Sequence, residues 1–82
     1  MAGAPFQCTV VAHANLRHYL PGAEERTRQA AEGPLTVRAL RERLGIPESE
    51  VMLSVVDGES VRPDRIIEGD CTVEFFPTLS GG

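Results

Sequence analysis

Thr36-Val37-Arg38-Ala39-Leu40-Arg41-Glu42-Arg43-Leu44-Gly45-Ile46-Pro47 is the stretch that decides the fold class, because both of its ends are marked. Thr36 can cap a first turn by accepting from a backbone N–H that has no partner inside the helix. Val37, Leu40 and Leu44 then fall on one face. Arg38, Arg41 and Glu42 fall largely on the others, where the arginines are expected to be solvated. Gly45 occupies the place of a left-handed C-cap, Ile46 can close over it, and Pro47 forbids continuation. One amphipathic helix needs one apolar sheet face to cover, so the expectation is an α+β domain of two layers.

The sheet is written on either side of this helix. Phe6, Cys8, Val10 and Ala12 alternate with Gln7, Thr9, Val11 and His13, the period of a half-buried strand. Asn15 to Leu20 reads as a short helical turn, broken by Pro21-Gly22. Ala23 to Glu32 favours helix by propensity, yet Arg26, Arg28 and Ala30 alternate with Thr27, Gln29 and Ala31. Local evidence leaves both readings open, and Gly33-Pro34 ends the segment either way. Val51 to Val56 is a short interior strand, and Asp57-Gly58 turns it back through Glu59-Ser60-Val61. Arg62-Pro63-Asp64 opens another turn, Ile66-Ile67 is expected to plug the core, and Glu68-Gly69-Asp70 leads into a last strand, Thr72 to Phe76.

Composition removes several classes of function. The 82 residues suit one domain with a modest core, here 1–82 with 77–82 as a flexible tail. A net charge of −4 argues against a phosphate backbone as ligand, and four aromatic residues make no base-stacking platform. No apolar run approaches membrane-spanning length. Met1-Ala2-Gly3-Ala4-Pro5 lacks the basic start and apolar stretch of a signal peptide, so a cytoplasmic protein is expected. All eight cations are arginine, so the chain offers no lysine amine to an isopeptide bond. Cys8 and Cys71 lack metal-site spacing and are expected reduced and packed, while His13 and His18 flank a loop; no metal site is expected among these four.

The last strand assigns its two adjacent phenylalanines to opposite faces. Cys71, Val73 and Phe75 share the apolar face, whereas Thr72, Glu74 and Phe76 share the polar one. Phe76 is therefore an expected exposed ring, followed by Pro77, Thr78 and Leu79, and a plausible anchor for a partner protein. The alternative is that it folds back over a loop. Ser80-Gly81-Gly82 follows. Glycine has no Cβ, which suits a peptide that must thread a narrow channel, so the Gly82 α-carboxylate is the candidate reactive group.

At these residues the chain resembles a family. Phe75-Phe76-Pro77-Thr78-Leu79-Ser80-Gly81-Gly82 is similar to the end of the small subunit of molybdopterin synthase, one of the ubiquitin-like β-grasp sulfur carriers. Asn15-Leu16-Arg17, Thr36-Val37, Leu44-Gly45-Ile46-Pro47, Asp57-Gly58 and Glu68-Gly69-Asp70 extend the resemblance over almost the whole chain. Thr78 stands where many relatives have a second proline, and Asp57 where asparagine is common.

The resemblance implies a mixed sheet of about four or five strands packed on one main helix, with Arg26 to Ala31 as a strand. It implies that an adenylating enzyme related to ubiquitin activators couples the Gly82 carboxylate to AMP from ATP. A sulfurtransferase persulfide then supplies sulfur to form a thiocarboxylate. A downstream synthase, on this resemblance the molybdopterin synthase large subunit, takes the sulfur up. In this scheme Gly82 carries the sulfur and Gly81 gives clearance. Phe76, Pro77, Thr78, Leu79 and Ser80 dock on partners. The carrier binds no cofactor of its own and is a non-catalytic subunit. Sulfur delivery to thiamine, cysteine or a specialised metabolite shares this chemistry. So does a protein modifier conjugated through Gly82. A plain interaction module would not need Gly82.

Overall fold

The computed structural model describes residues 5–78. Seven strands and one helix follow in the order β1 (Phe6–Ala12), β2 (Arg26–Ala31), β3 (Leu35–Thr36), α1 (Val37–Arg43), β4 (Val51–Val56), β5 (Glu59–Val61), β6 (Ile66–Ile67) and β7 (Cys71–Pro77). Short 3₁₀ turns at Ala14–Tyr19, Pro21–Ala23 and Glu48–Glu50 connect them. The main sheet has the order β2-β1-β7-β4-β5, and β3 pairs with β6 apart from it. The α+β expectation holds, as does the strand at Arg26 to Ala31.

β1 and β7 run parallel at the centre, Cys8 beside Cys71 and Val10 beside Val73, while every other pairing is antiparallel. Alternation explains the layering. Phe6, Cys8, Val10 and Ala12 from β1 join Val73 and Phe75 from β7 in a core closed by Val37, Leu40, Leu16 and Ile46. Burying each such large side chain contributes about 1.5–3 kcal/mol.

Both helix ends behave as their residues dictate. Thr36 Oγ1 accepts from the Ala39 N–H at 3.0 Å. The Val37 and Arg38 N–H groups donate to Arg65 O and Pro63 O at 2.9 and 2.8 Å, so the 63–65 loop satisfies two more of the unpaired donors. At the other end Gly45 has φ 77°, its N–H reaches Glu42 O, and the Ile46 N–H reaches Arg41 O. That pair of bonds is a Schellman closure. Asp57 and Gly58 both have positive φ, at 49° and 86°, as a type I′ hairpin requires.

Four expectations need correction. The tail does not start at 77: Pro77 is the last residue of β7, opposite Val51, and the Thr78 N–H donates to Glu50 O at 3.0 Å. Arg41 is not on the solvated face: it is buried, and its Nη1 donates to Ile46 O at 2.7 Å. The carbonyl exposed by the chain's turn after α1 gives the guanidinium a partner that water would otherwise supply. Of the isoleucine pair, only Ile67 enters the core; Ile66 is 55% exposed, because successive residues of a strand face opposite ways. Val11, on the face expected to be polar, is buried between its cross-strand neighbours Arg26 and Glu74.

Candidate functional site

The residues that deliver the chain's last segment gather where β7 leaves the sheet. Phe76 lies opposite Leu53 of β4, and Pro77 lies opposite Val51. Between these pairs β4 uses one more residue than β7, so Met52 is a bulge. A bulge turns a side chain away from the ladder, and Met52 is accordingly 58% exposed, beside the exposed Leu53. Leu53 and Phe76 share the face of the sheet away from α1. Leu53 and Phe76 are the apolar residues of that face at the strand's end, while Met52 lines a hollow with Val37 and Arg41 of α1.

Phe76 is on the expected face but is half-buried rather than fully exposed, because one side of the ring is occupied. His13 stacks on it with centroids 4.2 Å apart and planes 9° from parallel. His13 Nε2 and Glu74 Oε1 share a hydrogen bond of 2.9 Å, and the His13 N–H donates to Phe75 O at 3.0 Å. The residue that follows β1 thus braces the end of β7. Neither of the two alternatives for Phe76 describes this: the ring is covered on one side by His13 and has Leu53 as its cross-strand neighbour.

Pro77 ends β7 half-buried, and Thr78 is exposed. The Thr78 N–H nevertheless donates to Glu50 O at 3.0 Å, and the Glu50 carboxylate accepts from the Tyr19 hydroxyl at 2.7 Å. That bond, ahead of burial, raises the Tyr19 phenol above its ordinary value, since the hydroxyl must keep its proton to donate it. Leu79, Ser80, Gly81 and Gly82 lie outside the described residues.

The cysteines stand apart from this surface. Cys8 and Cys71 are free thiols with their sulfurs 3.9 Å apart across β1 and β7. Burial pushes the Cys8 thiol up; burial and then the neighbouring Cys8 push Cys71 up to about 12. Such thiols are poor nucleophiles and poor acids at neutral pH. Among the described residues no three His, Cys, Asp or Glu side chains gather as a metal set. His13 is engaged with Phe76 and Glu74, and His18 packs against Tyr19 with centroids 4.2 Å apart. No helix of the described residues is long and apolar enough to cross a membrane.

The sequence singled out Phe76, Pro77 and Thr78 and missed Leu53, Met52, His13, Glu50 and Tyr19. The adjacent apolar Met52-Leu53 in a strand was an available sign of a bulge. Nothing local pointed to the Tyr19–Glu50 bond, which joins residues 31 positions apart.

The family model described as Mut7-C ubiquitin matches residues 6–80. No curated protein sequence matches the chain significantly. Among solved structures, the fold is similar to the solution structure of the Haloferax volcanii HVO 2177 protein. The TM-score is 0.66 at 16% identity, over 96% of this chain and 89% of that one. At that identity the likeness speaks to the fold alone.

Proposed function

The chain belongs to the Mut7-C ubiquitin family, a ubiquitin-like β-grasp domain, and from that premise we propose that it is a sulfur carrier loaded at Gly82. The Gly82 carboxylate attacks the α-phosphorus of ATP in the active site of a ubiquitin-activator-like enzyme, and pyrophosphate leaves. This step is needed because a carboxylate is a poor electrophile, whereas an acyl-adenylate has a good leaving group. A persulfide sulfur then attacks the acyl carbon and AMP leaves. A second thiol cleaves the resulting S–S bond, leaving the thiocarboxylate on the carrier and a disulfide on the donor side. The carrier's own residues supply docking and presentation, and the partner supplies the catalysis.

The observation that carries this reading is the end of β7. Phe76 is braced by His13 and lies opposite Leu53, an apolar pair placed just ahead of the sequence that ends in Gly81-Gly82. A surface of this kind at the root of a glycine tail suits a protein that another enzyme must grip while it works on the tail. The Phe75-Phe76-Pro77 strand end favours molybdopterin assembly as the destination, with the synthase large subunit as acceptor.

The ubiquitin likeness also supports a second reading, conjugation of Gly82 to lysine amines of other proteins through the same adenylate. Intact-mass spectrometry after incubation with a purified adenylating enzyme, ATP and a persulfide donor separates the two. A carrier gains about sixteen mass units as one terminal oxygen is replaced by sulfur. A modifier instead yields high-mass conjugates in extracts. An unchanged mass, with the enzyme active on another carrier, overturns the first reading.

A further inference from the structure

Three segments distant in sequence meet at the last described residues of the chain. The Ala14–Tyr19 turn is pinned by Leu16, which is fully buried, and Tyr19 itself packs against the core. From that fixed base the Tyr19 hydroxyl reaches the Glu50 side chain at 2.7 Å. Glu50 closes the Glu48–Glu50 turn, its own N–H donating to Pro47 O at 3.1 Å. The Glu50 carbonyl then receives the Thr78 N–H at 3.0 Å, one step beyond the Val51–Pro77 pair.

We propose that Tyr19 is a positioning residue for the acyl end: by holding the Glu50 side chain it aims the Glu50 carbonyl at Thr78, and so fixes where and in what direction the chain leaves the sheet toward Gly82. The functional half of this rests on the carrier reading. A short 3₁₀ turn on the surface has few contacts of its own to hold a carbonyl in one direction. A hydrogen bond from a phenol whose ring packs against the core supplies that hold. The benefit is orientational. An adenylating enzyme that grips the Phe76 surface must also find the carboxylate in reach, and a wrong exit angle at Thr78 weakens productive docking without altering the chemistry at the carboxylate.

The test uses Tyr19→Phe, which keeps the ring and removes only the hydroxyl, together with Glu50→Ala and Glu50→Gln. In the full chain, the Thr78 amide is followed by hydrogen exchange in NMR. Tyr19→Phe and Glu50→Ala are expected to speed its exchange about tenfold relative to unaltered protein, while Glu50→Gln, which keeps an acceptor oxygen, stays within about twofold. ATP–pyrophosphate exchange with a purified ubiquitin-activator-like enzyme is the second readout. Tyr19→Phe should raise KM for the carrier about fivefold and leave kcat within about twofold. Unchanged Thr78 exchange in Tyr19→Phe overturns the tether, and faster exchange with an unchanged KM overturns its functional role. Should the unaltered chain not be adenylated at all, the carrier reading fails, and the Thr78 amide still decides the tether.

Discussion

His13 lies flat on Phe76, its ring centroid 4.2 Å away and its plane within 9° of parallel, while its Nε2 is bonded to Glu74 on the same strand. The last residue before the first loop therefore braces the Phe76 ring from one side, with Leu53 as its cross-strand neighbour. A ring braced in this way is held in one rotamer, which would lower the entropy lost on binding if Phe76 is the anchor proposed above.

Phe76→Ala is expected to lower the efficiency of adenylation tenfold or more and to cost about 1–2 kcal/mol of stability. His13→Ala removes the stack together with the Nε2–Glu74 Oε1 hydrogen bond and should cost about 1–2 kcal/mol. Urea unfolding reads the stability, and ATP–pyrophosphate exchange reads the docking. A Phe76→Ala chain adenylated as well as the original would remove the anchor from the account.

A single bulky residue added after Gly82, or a carboxamide in place of its carboxylate, should abolish thiocarboxylate formation while leaving the circular dichroism and melting curve unchanged. Loading of either variant would show that the acyl chemistry is elsewhere.

Arg41→Ala should destabilise the domain by about 1–3 kcal/mol, more than an exposed helical arginine would, because it leaves Ile46 O without its buried donor. Gly45→Ala should cost about 1 kcal/mol for a different reason. A Cβ there meets nothing within 4 Å, so the penalty comes from the positive φ alone. Chemical denaturation of the two single variants and the double variant gives both values; both residues serve the same helix end, so the double variant is expected to be non-additive.

The cysteine pair predicts a pH dependence with a definite sign. The folded Cys71 thiol rises from the ordinary 9.0 to about 12, so above about pH 9 the unfolded chain releases a proton that the folded chain retains. Stability from this source is fully present below pH 9 and is lost as pH rises toward 12. Cys71→Ala should flatten that decline. At pH 8 the native thiols should alkylate with iodoacetamide at least tenfold more slowly than in urea. Rapid alkylation of the folded protein would contradict the burial argument.

Sequence made the local elements plain where one residue type has one job. Thr36 and Gly45 mark the helix ends, Asp57-Gly58 marks the hairpin, and the alternation from Phe6 to Ala12 marks β1. Arg26 to Ala31 lay beyond local reading, since arginine and alanine favour helix and only pairing with β1 makes them a strand. The β3–β6 pair is too short to carry a period. At the candidate site, parity placed Phe76 on its face. His13, Leu53 and Glu50 come to it only through the parallel register of β1 with β7 and the bulge at Met52. Arg41 was misread because a charged residue carries no sign in sequence of the carbonyl that will accept it.

The central place of β7, hydrogen-bonded to β1 on one side and β4 on the other, also has a mechanical meaning. A pull on the chain along β7 loads the ladders on both flanks in shear, many bonds together. An edge strand would instead unzip one bond at a time. Load along β7 is therefore shared between two ladders.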